Sequence, residues 1–150
     1  MATRMQVTID CADPSRLARF WATALGYRLE EPPGGFASWR DYYVSRGFPP
    51  EEFEDDSYDS IVDPDGAGPR MWFQPVPEPK VVKNRVHLDL DGGGGRGPPL
   101  EERRRRVEAE AEADRLVAAG ATVFRVLSED GVDYYAVVMQ DPEGNEFCLH

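Results

Sequence analysis

The tetrapeptide DPDG at residues 63–66 returns as DPEG at residues 141–144, and each copy stands just before a short apolar run, RMWFQPV in the first case and EFCLH in the second. Asp-Pro followed by an acidic residue and glycine suits a tight turn, because proline fixes φ and glycine supplies positive φ. Such turns are common, and a recurrence of the turn alone would be coincidence. Other features recur in the same order, however. VTIDCAD (7–13) and VHLDLDG (86–92) both alternate with period two, at an offset of 79 between Val7 and Val86. That alternation predicts half-buried strands with Val7, Ile9 and Cys11, or Val86, Leu88 and Leu90, on one face. The opposite faces carry Gln6, Thr8 and Asp10 in one copy and His87, Asp89 and Asp91 in the other.

A helix is expected after each strand. In the first, Asp13 caps, Pro14 takes the first helical position, and Leu17, Phe20, Trp21 and Leu25 form an apolar stripe that Gly26 ends. In the second, Pro98 and Pro99 precede a charged helix whose stripe includes Leu100, Val107, Ala111 and Leu116, with Gly120 as its stop. Strands then resume around each turn, at GYRLE, YDSIVD and RMWFQPV in one copy and at ATVFRV, DYYAVVMQ and EFCLH in the other. Each copy therefore reads as βαβββ, and the repeated turn is the hairpin entering the fourth strand. The second copy carries extra residues before its helix (GGGGRGPPLEERRRR), and the first carries an insertion within PPGGFASWRDYYVSRGFPPEEFEDD. The expected architecture is α+β: a single domain over residues 1–150, with module 1 at about 5–79 and module 2 at about 84–150. Two such sheets side by side would enclose a trough.

Charge and cysteine usage narrow the partners. Seventeen basic against 28 acidic residues give a formal charge of −11, which repels phosphate backbones and anionic lipid heads, so neither nucleic acid nor a membrane surface is expected. The one basic run, Arg103 to Arg106, is interleaved with glutamates at i,i+4, as in Glu102/Arg106 and Arg104/Glu108, and reads as a solvated helix face. Two cysteines, Cys11 and Cys148, make no disulfide framework, and no apolar stretch approaches the length of a membrane span, so a cytoplasmic location is expected.

VTIDCADPSRLARFWATALGYRL resembles the opening of vicinal oxygen chelate proteins, the superfamily of glyoxalase I, bleomycin resistance proteins and extradiol dioxygenases. NRVHLDL, LVAAGATVFRV and MQDPEGNEFCL resemble the second module of its glyoxalase-like branch. The resemblance covers nearly the whole chain, from about Met5 to Leu149. It implies paired βαβββ modules curled around a cavity. Often a divalent metal is held there by residues on the first and last strands of each module. The matching positions are Gln6, His87 and Cys148, with the fourth somewhere in Met71 to Gln74, where parity groups Trp72 with Gln74. Metal-binding members place Glu on the closing strands, whereas this chain offers Cys148 and no acid between Met71 and Gln74. Hard ions prefer carboxylate oxygens, so the usual site reads as broken and no cofactor is expected. A softer divalent metal such as zinc would fall to His87 and Cys148, with Gln6 or Gln74 as a third ligand.

Other constellations carry less. HLD (87–89) with His150 imitates a two-His-one-carboxylate iron set in the wrong fold context. The glycine run Gly92 to Gly95 lacks a following Lys-Ser/Thr and reads as a linker rather than a phosphate loop. Cys148 reads as a packing residue rather than a nucleophile. FASWRDYY is expected to rim a cavity with its rings.

The expected cavity residues are Gln6, Thr8, Trp39, Trp72, Gln74, His87 and Cys148. The leading function is binding or sequestration of a small-molecule ligand, in the manner of the bleomycin resistance proteins the chain resembles. The alternative is a lyase, isomerase or dioxygenase using an atypical metal or a His87/Asp89 acid-base pair, and a third reading is an accessory interaction domain. A homodimer is expected from the family rather than from any residue here.

Overall fold

The computed structural model describes residues 3–54, 56–92, 99–129 and 132–150, side chains at 99–105, 129 and 132–134 excepted. It forms two compact units, Met1–Pro79 and Lys80–His150. The first contains β1 (Gln6–Cys11), α1 (Pro14–Leu25), β2 (Arg28–Leu29), α2 (Trp39–Ser45), a 3₁₀ turn at Pro50–Glu52, β3 (Ser60–Val62) and β4 (Arg70–Pro75). The second contains β5 (Asp89–Leu90), α3 (Pro99–Ala118), β6 (Thr122–Glu129), β7 (Val132–Gln140) and β8 (Glu146–Leu149). Each unit holds one four-stranded mixed sheet, ordered β1-β4-β3-β2 and β5-β8-β7-β6. The first strand of each unit lies parallel to its last, and the remaining pairs are antiparallel. The identical order is the fold-level signature of the doubled βαβββ unit.

The local physics of α1 follows the sequence closely. The Asp13 carboxylate accepts the Arg16 N–H at 3.0 Å, and Gly26 takes the left-handed conformation at φ 67° that terminates the helix. Leu17, Phe20 and Trp21 are buried to 3 % exposure or less, and each contributes on the order of 2 kcal/mol of hydrophobic stabilisation. Leu25, expected on the same stripe, is only half-buried.

The repeated turns share one device. Asp63 Oδ1 accepts the Asp65 N–H, and its Oδ2 accepts those of Ala67 and Gly68 at 2.9 and 2.6 Å. Asp141 Oδ1 accepts the N–H groups of Glu143 and Asn145 at 2.9 and 3.0 Å. Gly66 and Gly144 supply the positive φ, at 71° and 85°.

Two expectations need correction. Of the strand expected over 86–92, only Asp89–Leu90 forms, and Val86 is 79 % exposed. Within each sheet the closing strand lies beside the opening one, with Thr8 paired to Trp72 and Asp89 to Cys148. Among the described side chains of α3 the buried ones are Ala109, Ala113 and Leu116, whereas Val107 is 59 % exposed and Ala111 is exposed. The helix packs on β7 through the face whose small alanines let the backbones approach, and Val107 lies off that face. The Leu100 side chain, the Glu102/Arg106 and Arg104/Glu108 pairs and the glycine run beyond Gly92 lie outside the described residues. No described helix is long and apolar enough to cross a membrane.

Candidate functional site

Parallel pairing of β1 and β4 sets Gln6 against Arg70, Thr8 against Trp72 and Asp10 against Gln74. Met71 and Phe73 are buried at 2 % and 0 % exposure, so Trp72 and Gln74 share the opposite face with Gln6, Thr8 and Asp10. This fixes the pairing and parity left open by the sequence. The polar face is organised by Arg70. Its guanidinium donates to Glu30 Oε2 at 2.6 and 2.9 Å, to Gln6 Oε1 at 2.7 Å and to Ser60 Oγ at 2.6 Å. Gln6 Nε2 donates in turn to Thr8 Oγ1 at 3.3 Å, and Trp72 Nε1 donates to Asp59 Oδ2 at 3.1 Å. Sequence reasoning passed over Arg70, Glu30 and Asp59. The available signal was a lone arginine opening an otherwise apolar strand, which a half-buried sheet face tolerates only with a partner.

The second unit gathers the other expected residues. Ligand atoms of His87, Asp89 and Cys148 all lie within 4.8 Å of one another. His87 and Asp89 are exposed and Cys148 is buried. Two neighbours modify the group. The Lys83 ammonium hydrogen-bonds Nε2 of His87, and His150 Nε2 lies 3.3 Å from Asp89 Oδ2. The Cys148 thiol is pushed up, first by burial and then by the Asp89 carboxylate, so it stays protonated at neutral pH.

Glu146 is 9 % exposed and bonded to Lys80 Nζ at 3.2 Å and to the Asn84 N–H at 3.0 Å. Burial alone would raise its carboxyl, but the Asn84 N–H and the Lys80 ammonium outweigh burial and lower it. Asp63 is lowered too, chiefly by the Gly68 and Asp65 N–H groups. Carboxyls depressed in the folded state stabilise it above their unfolded values, 4.5 and 3.8, and lose that contribution as pH falls through their folded ones. The melting temperature is therefore expected to fall from pH 4.5 downward, and Glu146→Gln should flatten the upper part of that decline. An unchanged profile in the variant would remove Glu146 from the account.

The insertion between β2 and β3 forms a third feature. Ser38 caps α2 by accepting the Asp41 N–H at 3.0 Å, and Trp39 Nε1 donates to the Glu30 carbonyl at 2.7 Å. The helix stacks Tyr43 between Trp39 (5.7 Å, 27°) and Phe53 (4.9 Å, 11°). A cleft of about 400 Å³ opens beside them, lined by Trp39, Tyr43, Phe53 and Tyr58 among others. Of the cavity residues expected from the sequence, Trp39 lines this cleft, while Gln6, Thr8, Trp72 and Gln74 belong to the sheet face.

Residues 6–150 match the family model of the glyoxalase-like domain, and the chain belongs to that family. Its fold is that of the glyoxalase, bleomycin resistance and dioxygenase proteins. A glyoxalase/bleomycin resistance protein/dioxygenase family enzyme from Burkholderia phytofirmans is 15 % identical, with 96 % of this chain and 94 % of that one covered at a TM-score of 0.56. The fosfomycin resistance protein FosX from Listeria monocytogenes is 10 % identical, with 100 % and 92 % covered at a TM-score of 0.58, in a structure holding Mn(II) and a dihydroxypropylphosphonic acid. A hypothetical protein, SA1046, from S. aureus is 16 % identical over 99 % and 96 %, with a TM-score of 0.54. Identities this low establish the fold alone. No curated protein matches the sequence.

The residues present fit the family's divalent metal poorly in the first unit. The Gln6 amide oxygen is engaged by a guanidinium at 2.7 Å and the Trp72 position offers no acceptor atom, so a cation there would meet a fixed positive charge. In the second unit the imidazole, carboxylate and thiol donors suit a borderline-soft ion such as zinc better than magnesium or manganese.

Proposed function

We propose that the chain is a small-molecule-binding protein that holds its ligand without transforming it. In this reading the two modules act as one domain over residues 1–150, and the protein works in the cytoplasm as a homodimer. The observation that supports it best is the engagement of Gln6 by Arg70. The first module thereby lacks the donor that the family's metal arrangement requires, and with it the means of polarising a substrate oxygen. Lys83 acts in the same sense in the second module, because it occupies a ring nitrogen of His87. The fosfomycin resistance proteins among the structural neighbours, one of them holding Mn(II), bear on the fold and not on the choice between binding and catalysis.

A thermal-shift panel of small molecules, run with and without EDTA, tests this. A ligand at a hundredfold over its Kd should add about 2.7 kcal/mol, or roughly 8 °C for a domain of this size, and EDTA should leave that gain intact. A gain that EDTA abolishes would overturn the reading. A panel that shifts nothing would favour an accessory interaction domain.

One observation favours a second reading. The approach of His87, Asp89 and Cys148 to within 4.8 Å would let those three side chains hold zinc, which supplies Lewis acidity and a bound hydroxide near neutral pH. Under that reading the protein is a lyase or isomerase, and a dioxygenase would require a redox-active ion in place of zinc. Its metal-free variant would use His87 as the proton-transfer group, with Asp89 positioning it.

A further inference from the structure

The cleft in the first unit borders the sheet face, since Asp59 in its lining accepts the Trp72 indole N–H. It is walled by the insertion, by the β1–α1 connection at Ala12 to Ser15, and by Pro75 at the end of β4. Its volume of about 400 Å³ falls in the range of small-molecule sites. Two features of its lining bear on what it would accept.

The first is ring density. Trp39, Tyr43, Phe53 and Tyr58 all line it, and three of them are locked into the stacked array described above. Aromatic rings carry a negative face that attracts cations. One lining ring already does so within the protein, since the Arg19 guanidinium carbon lies 5.5 Å from the Tyr58 ring centroid.

The second is charge. Asp13, Glu52, Glu54 and Asp59 line the cleft, and no lysine, arginine or histidine does so among the described residues. The α1 N-terminus at Pro14 and Ser15 adds roughly half a positive charge, which the Asp13 cap offsets. Three carboxylates remain uncompensated by the helix. Of these, Asp59 is felt by Tyr43, whose phenol is pushed up by burial first and by Asp59 next, with Arg70 acting in the opposite sense. Anions and phosphorylated ligands would be repelled from such a cleft, whereas a cation is attracted by walls and rim together.

We infer that this cleft binds an organic cation, an alkylated ammonium carrying a flat or apolar body, with the charge directed to Asp59, Glu52 and Glu54 and the body against Trp39, Tyr43 and Phe53. The inference rests on the small-molecule-binding reading and narrows it to a ligand class. It assigns the insertion a purpose: α2 and the 3₁₀ turn bring rings and acids to one place that the βαβββ unit alone would leave open.

Calorimetric titration with benzyltrimethylammonium, and with choline beside its uncharged isostere in which carbon replaces nitrogen, tests the assignment on the full-length chain. Benzyltrimethylammonium should bind with an affinity that weakens as salt is raised, and choline should bind about tenfold more tightly than its isostere. Trp39→Leu should weaken benzyltrimethylammonium about tenfold. Because Trp39 also bonds the Glu30 carbonyl and that variant could lose its fold, Glu52→Lys at an exposed position serves as the second test, with a comparable loss expected from charge repulsion. Equal binding of choline and its isostere, or wild-type affinity in Glu52→Lys, overturns the cation assignment. So does silence toward both cations. If an uncharged or anionic member of the panel nevertheless stabilises the protein, the small-molecule reading survives that failure. A silent panel ends both.

Discussion

Asp141→Ala should lower stability by about 3 kcal/mol, equivalent to roughly 10 °C in melting temperature for a chain of this size. Asp141 is 3 % exposed and serves as the acceptor for the turn that follows it, taking the N–H groups of Glu143 and Asn145 and the Asn145 side-chain amide at 3.0 Å. Alanine removes the acceptor and leaves these donors facing a space that water reaches poorly. Each orphaned buried donor costs about 1–3 kcal/mol, more than the net worth of the bond itself. The matched control is Asp63→Ala. It removes the same kind of acceptor from the same kind of turn, but Asp63 is only half-buried, so water can take over its N–H partners. The prediction is a difference between two chemically identical substitutions. Thermal or urea melts of both variants decide it, and equal losses would show that burial is not what gives the second turn its importance.

The pairing of these turns also shows what the sequence can convey. Period-two strands, a capped and glycine-terminated α1 and a recurring hairpin are local devices, each written in a few adjacent residues, and together they specify the doubled βαβββ plan. Properties that depend on which surface meets which were less legible. A charged helix with alanines at 109 and 113 has no strong apolar stripe, so the contact face of α3 is chosen by close approach to β7 and cannot be read from the position of Val107. The short β5 has the same origin. Alternation at Val86 to Leu90 is an intrinsic preference, yet the described backbone bonds to β8 and His150 begin at Leu88 and run to Gly92, leaving Val86 exposed.

The candidate sites divide along similar lines. His87, Asp89 and Cys148 were visible because they interrupt or occupy strand positions of known parity, and their donors do converge. Lys83, which alters what that convergence can bind, lies in an irregular stretch where no period places its side chain. Arg70 and Asp59 escaped for a related reason. Their roles arise from partners 40 and 13 residues away, and a single sequence does not encode such pairs.

Zinc titration separates the two functional readings, and Lys83 sharpens it. Under the binding reading, the Lys83 ammonium on His87 and the protonated Cys148 thiol both oppose a cation, because zinc must displace the first and deprotonate the second. Micromolar zinc then leaves the melting temperature unchanged, and Lys83→Ala, by freeing the ring nitrogen, should tighten zinc binding about tenfold or more. Under the metal reading, zinc stabilises the wild-type chain by about 2.7 kcal/mol at a hundredfold over its Kd, with proton release that grows as pH falls below the thiol's raised value. Cys148→Ser and His87→Ala would each remove most of that gain, because either change reduces three donors to two. Ligand binding supplies the deciding coupling. If zinc stabilises the protein and a small molecule binds only to the zinc-loaded form, the second module is the working centre and the sequestering function fails. If the small molecule binds equally with and without zinc, the donors at His87, Asp89 and Cys148 are a remnant of the family's arrangement that this chain does not use for its ligand.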